Sequence, residues 1–176
     1  RHEPDLDIRE WSRKSGTLCA ITGANGSGKT TLLRHFAGFV KAEDLHQDNE
    51  RLSQEIQNKF GVVPFSKKNK NNISYMPQEC RHMFRFTTVE QELKIGSTTQ
   101  RDNFIEKLDI KHVFDRDPKS LSYGEQKKLG IAIAFSSDPQ TILLDEPTRG
   151  LDEISRQQVI RFIIEQSFIR DINVMC

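Results

Sequence analysis

The 176 residues contain only three cysteines, Cys19, Cys80 and Cys176, widely spaced, odd in number and never in a CxxC pair. That pattern supplies neither a zinc-ligand set nor a disulfide framework, and it suits reduced thiols in a cytosolic compartment. Long apolar runs are also missing. Nothing approaches the ~20 apolar residues that cross a bilayer, and the opening Arg1-His2-Glu3-Pro4-Asp5 lacks the character of a signal peptide. A membrane role would therefore need its span from another chain or from a segment outside this one. Charge of one sign is lacking too. The formal net charge of +1 gives no bulk attraction to nucleic acid or acidic membrane, although a net value does not report distribution. Lys67-Lys68-Asn69-Lys70 is the one basic, low-complexity stretch, and it reads as a solvated loop. No internal repeat and no sustained heptad pattern is visible.

What is present is an ordinary soluble composition, 35% hydrophobic and 29% charged, in a chain long enough for one domain with a real core. Leu18-Cys19-Ala20-Ile21-Thr22 is a short apolar run ending at a glycine, which predicts a buried strand. Thr30 to Ala37 carries apolar residues at helical spacing and is closed by Gly38. Residues 41–60 are highly charged, with Leu45, Leu52, Ile56 and Phe60 compatible with a surface helix. Val62-Val63 and Ile73-Ser74-Tyr75-Met76 predict short strands, and Thr88 to about Leu108 turns helical again. Ser122 to Phe135 predicts a helix with Ser122 as N-cap and Glu125 at the capping-box position. Thr141-Ile142-Leu143-Leu144-Asp145 predicts a central parallel strand. Residues 153–168 predict an amphipathic helix with Val159, Ile160, Ile163 and Ile164 on one face, and the chain closes on the start of a further strand at residues 171–176. Alternating strands and helices imply an α/β parallel sheet, with a helical insertion over about residues 79–135 between core segments at about 1–78 and 136–176.

Two constellations carry chemistry. Between the first buried run and its helix lies Gly23-Ala24-Asn25-Gly26-Ser27-Gly28-Lys29-Thr30. Its glycines let the backbone wrap an anion and aim N–H groups at phosphate oxygens, and the helix that follows, with Thr31 in its first turn, adds the positive end of its dipole. In this Walker A pattern Lys29 reaches the β and γ phosphates of ATP and the Thr30 hydroxyl ligates Mg²⁺. Strand, glycine loop and helix in that order are the context such a loop requires. The second constellation is Asp145-Glu146 at the end of an apolar run. A carboxylate there can hold the Mg²⁺, usually through water, and Glu146 is placed to polarise an attacking water.

Leu121-Ser122-Tyr123-Gly124-Glu125-Gln126 resembles the LSGGQ-type signature of the ATP-binding-cassette (ABC) ATPases. Tyr75-Met76-Pro77-Gln78 looks like that family's Q-loop, Thr141 to Thr148 like its Walker B strand, and Gly150-Leu151-Asp152 like its D-loop. The ordered match spans about residues 16–152. It implies a P-loop NTPase core with a mostly parallel sheet and an inserted helical subdomain bearing the signature. It also implies a second cassette as partner, packed head to tail, so that Ser122 and the Gly124 backbone of one copy meet the γ-phosphate held by Lys29 of the other. A helix start is suited to that task because its dipole and free N–H groups favour anions. Gln78 is implied to sense Mg²⁺ and the attacking water and to border the groove that receives a polytopic membrane subunit. Asp152 is implied to cross the dimer interface.

Several departures from the pattern matter. Tyr123 stands where the signature has glycine, and reads as a surface substitution. Trp11 lies too close to Gly23 for the family's stacking aromatic and reads as a packing residue. The family's switch histidine falls beyond the last strand, and His2, His35, His46, His82 and His112 are misplaced for it, so both ends are expected to be trimmed. Two function classes follow from the resemblance. One is the energy-supplying subunit of a membrane transporter, peripheral on the cytoplasmic face of the membrane; the wording Asp145 to Asp152 leans toward energy-coupling-factor and cobalt-type importers. The other is a soluble cassette ATPase acting on nucleic acid, ribosomes or cofactor assembly, which the absence of heptads and of a second cassette disfavours.

Overall fold

The computed structural model describes residues 7–12, 17–60, 62, 64–65, 73–94 and 98–176. The Lys67-Lys68-Asn69-Lys70 run, Val63, His2 and the side chains of Trp11 and Phe60 lie outside the described residues. Among the described residues five strands form one sheet: β1 (Asp7–Ser12), β2 (Thr17–Thr22), β3 (Ile73–Met76), β4 (Thr141–Leu144) and β5 (Asn173–Met175), in the spatial order β1-β2-β5-β4-β3. β1 pairs antiparallel with β2, from Asp7 opposite Thr22 to Ser12 opposite Thr17, and the other pairings are parallel. The fold is therefore the α/β class with a mostly parallel sheet.

Side-chain alternation along the strands splits the core into two layers. Ile142, Leu144 and Val174 pack into one apolar cluster, while Leu143 and Met175 pack into the other. A strand covered on both faces reads as a continuous apolar run, and β4 is buried along its whole length. Helices α1 (Lys29–Phe36) and α2 (Gln47–Phe60) supply Leu32, Leu33, Phe36, Leu52 and Ile56 to the second layer. Helices α3 (Val89–Leu93), α4 (Thr98–Leu108), α5 (Tyr123–Ser136) and α6 (Glu153–Ile169) supply the first. Phe104, Phe135 and Phe162 lock α4, α5 and α6 together edge to face, with ring centroids 5.2 to 6.4 Å apart, the arrangement the aromatic quadrupole favours.

Four expectations change. The stretch from Thr88 is two helices, because α3 ends at Leu93, where Lys94 caps it. Val62 is buried but belongs to no strand; it fills the layer under α1 and α2 instead. On α6 the inward residues are Val159, Phe162, Ile163, Gln166 and Ser167, while Ile160 and Ile164 are 42% and 37% exposed. At ~100° per residue the buried stripe follows the i, i+3, i+4, i+7 positions from Val159, which leaves Ile160 and Ile164 on its margin. Within the charged stretch, Leu45 lies just before α2 and not on it.

Candidate functional site

The glycine loop joins β2 to α1, and its geometry depends on glycine at two positions. Gly26 and Gly28 take φ of +82° and +95°, the left-handed region that L side chains rarely adopt. Gly28 is constrained twice, since a Cβ there would stand 2.5 Å from Nδ2 of the buried Asn49 on α2. The charged segment expected to form a surface helix thus supplies α2, which backs the loop. Lys29 turns its ammonium across the loop and donates to the carbonyls of Gly23 and Ala24 at 2.8 and 2.9 Å. Ser27 Oγ is buried without a hydrogen-bond partner among the described residues.

Tertiary packing brings the second constellation to this loop. The Thr30 hydroxyl donates to Asp145 Oδ1 at 3.0 Å across 115 residues of sequence. The Tyr75 hydroxyl approaches Oδ2 at 3.4 Å. Burial raises the Asp145 pKa above the ordinary carboxylate value, while the Thr30 and Tyr75 hydrogen bonds work against that rise. Burial, then the Asp145 charge, pushes the Tyr75 phenol up to about 12. A cleft of about 410 Å³ is lined by Asn25, Gly26, Gly28, Lys29, Thr30, Thr31, Gln78, Glu146 and Arg149. A second groove of about 610 Å³ shares Thr30 and Gln78 with it and runs on past Arg34, Phe39, Tyr75, His82 and Met83. The hydroxyl of Thr30 and the carboxylate of Asp145 are hard oxygen donors side by side, a set that fits Mg²⁺.

Ser122, Gly124 and Asp152 do not line this cleft. They gather elsewhere, at the start of α5 and α6. Ser122 caps α5 in a full capping box, its hydroxyl meeting Glu125 Oε2 at 2.7 Å and its N–H donating to the same oxygen at 2.8 Å. Burial raises the Glu125 pKa, but the Ser122 bonds, His112 and Arg116 outweigh it and hold the carboxyl below its ordinary value. Gly124 packs on Leu151, and Asp152 caps α6 through a bond from the Ser155 N–H at 2.9 Å. Tyr123 is more than a surface substitution: its ring lies against Gly150, where a Cβ would come within 2.7 Å of Cε1.

Three contributors were not legible as site residues. Asn49 was hidden in a charged helix. Arg149 donates to Glu146 Oε2 at 2.8 Å, a contact that i, i+3 spacing after an acid hints at. Lys127 is buried and donates to the Glu146 backbone carbonyl, and no sequence signal separates it from the neighbouring Lys128, which is only half-buried.

A parallel sheet with a glycine loop between strand and helix, and an acidic strand end hydrogen-bonded to that loop, defines a P-loop nucleoside-triphosphatase fold. A profile of the ABC transporter family matches residues 6–149, and the chain belongs to that family. It is 33% identical over 161 residues to the molybdenum import ATP-binding protein ModC of Brucella abortus (strain 2308), covering 84% of this chain and 42% of that protein. It is 30% identical over 161 residues to the lipopolysaccharide export system ATP-binding protein LptB of Haemophilus influenzae, covering 86% of this chain and 64% of that protein. The chain thus spans less than half the length of its molybdenum relatives. Among solved structures, cbiO1 from Clostridium perfringens, described as part of an ABC transporter complex, superposes with a TM-score of 0.65 at 20% identity, over 99% of this chain and 78% of that one. At that identity the likeness concerns the fold alone.

Proposed function

We propose that this chain is the ATP-binding and ATP-hydrolysing cassette of a membrane transporter. The observation that carries the reading is the Thr30 to Asp145 hydrogen bond, which joins the phosphate loop to the acidic strand end inside one cleft. In this reading the loop amides of residues 23–30 and the Lys29 ammonium bind the β and γ phosphates, with the N-terminus of α1 behind them. Thr30, Gln78 and Asp145 would hold Mg²⁺, which neutralises charge on the phosphates when bound. Glu146 acts as general base: with Oε2 engaged by Arg149, Oε1 takes the proton of the attacking water. The water oxygen bonds to the γ-phosphorus, the bond to the bridging oxygen breaks, and ADP and phosphate leave.

The position of Ser122, Gly124 and Asp152 away from the cleft favours a head-to-tail dimer, in which those residues of one copy complete the site of the other. The partner is a second cassette, identical or not. The groove that adjoins the cleft at Thr30 and Gln78 suits a polytopic membrane subunit, which would place the cassette on the cytoplasmic face of the membrane. Residues 79–135 then form the helical subdomain inserted between core segments 1–78 and 136–176. Among the described residues no helix is long and apolar enough to cross a membrane. The relatives' names, one an importer and one an exporter, leave direction to the membrane subunit.

Sedimentation of Glu146→Gln with Mg²⁺ and ATP tests the reading. It should retain nucleotide, hydrolyse slowly and accumulate dimer. Turnover at the wild-type rate removes Glu146 as base, and a monomer at saturating ATP removes the head-to-tail assembly.

A further inference from the structure

Glu146 is held in a conformation its own sequence disfavours. Its φ is +50°, in the left-handed region that strains a non-glycine residue. The next residue is Pro147, whose ring further biases the preceding residue toward extended backbone. Such a conformation persists only where the surroundings over-determine it. Here, among the described residues, the Glu146 carbonyl accepts two hydrogen bonds, one from the Arg149 N–H at 3.3 Å and a shorter one from Lys127 Nζ at 2.9 Å.

Lys127 has no part in the chemistry described so far, yet it is 1% exposed. Removing an ammonium from water is unfavourable unless it is paired. Burial lowers its pKa, and Cys80, Asp145, Glu146 and Glu79 act in the opposite sense. Tyr123 stands over it, the ammonium 5.7 Å from the ring centroid, while the same ring covers Gly150. The cation is thus walled off from solvent beside the residue it anchors. It sits on α5, the helix that Ser122 caps, whereas Glu146 follows β4.

We propose that Lys127 is a positioning residue for the hydrolytic step: it fixes the Glu146–Pro147 peptide, and through it the direction of the Glu146 carboxylate. Without the ammonium the carbonyl keeps only its longer bond, the peptide can relax toward extended backbone, and the carboxylate leaves the cleft. The contact also ties the signature helix to the base within one chain, so displacement of α5 is felt at Glu146. The inference rests on the reading of Glu146 as general base.

The test is steady-state ATP turnover and direct ATP titration on the full-length protein with Lys127→Met, Lys127→Arg and Glu146→Gln. Methionine keeps the stem and packing but has no donor; arginine restores a cationic donor. Lys127→Met should lose roughly 10- to 100-fold in kcat, the scale of a ~1 Å misplacement, with KM and nucleotide affinity within about threefold. Lys127→Arg should recover most of the loss. If Lys127→Met turns over like wild type while Glu146→Gln is inactive, the positioning role is wrong and the base stands. If Glu146→Gln turns over like wild type, the base reading fails and this inference with it. Loss of ATP affinity in both lysine variants would make Lys127 a structural residue and overturn the proposal.

Discussion

Lys29→Ala should separate nucleotide binding from folding. The ammonium makes two hydrogen bonds, 2.8 and 2.9 Å, to carbonyls of the exposed residues Gly23 and Ala24. Those acceptors can turn to water when the lysine is removed, so stability should change by no more than about 0.5 kcal/mol, the usual range for surface sites. Binding is another matter. On ATP the same donors meet phosphate anions, and each charge-assisted bond contributes about 1.5–3 kcal/mol. Allowing for the loop bonds given up, a net loss of about 3 kcal/mol follows, or roughly 100-fold in Kd. Calorimetric titration of ATP gives the affinity, and thermal melts with and without nucleotide give the stability. At 100 times its Kd, ATP should stabilise the wild type by about 2.7 kcal/mol, and the same concentration should add only about 0.4 kcal/mol to the variant. An unchanged Kd would refute the role assigned to the ammonium. A fall in the nucleotide-free melting temperature would show that the lysine holds the loop together.

Phe162→Ala should cost about 3–5 kcal/mol, because its ring closes the edge-to-face trio with Phe104 and Phe135 at 5.2 and 5.3 Å; a urea-unfolding change under 1 kcal/mol would refute that packing account. Glu125→Gln keeps the capping-box geometry but removes a charge at the N-terminus of α5, a loss of about 0.3–1 kcal/mol at neutral pH. Because the folded-state pKa is lowered, that charge stabilises the wild type above the unfolded value of 4.5 and its contribution fades as pH falls through the folded value. Melting curves of the two proteins should therefore converge in acid, and a gap that widens there would be contrary to the assignment. Ser122→Arg should leave ATP binding by the monomer intact while blocking the ATP-dependent dimer, readable by light scattering; dimerisation of this variant would count against the head-to-tail assembly.

Much of the site was legible because its residues work through local backbone geometry. A glycine loop is recognisable since Gly26 and Gly28 need positive φ within a few residues of the helix start, and the α5 capping box is complete within four residues. The rest depended on neighbours far away in sequence. Periodicity grouped Ile160 and Ile164 with the core face of α6, but which side of that helix meets the sheet is settled by packing from α4 and α5. Asn49 gained its place under Gly28 because α2 lies across α1, which a polar sequence cannot announce.

What the sequence determined by itself was the glycine loop, the capped helix that begins at Ser122 and the acidic strand end, each a short stretch whose backbone conformation is written in its own residue types. Only the tertiary structure decided that Thr30 meets Asp145, that Tyr123 lies on Gly150 and that Lys127 is buried beneath Glu146. Those contacts join residues that chain distance leaves independent, and they exist because the sheet brings strand ends and helix starts to one edge. Lys127 is the sharpest case. Local pattern treats a lysine on a helix as solvated, and its burial follows from α5 being covered by sheet and neighbouring helices on several sides.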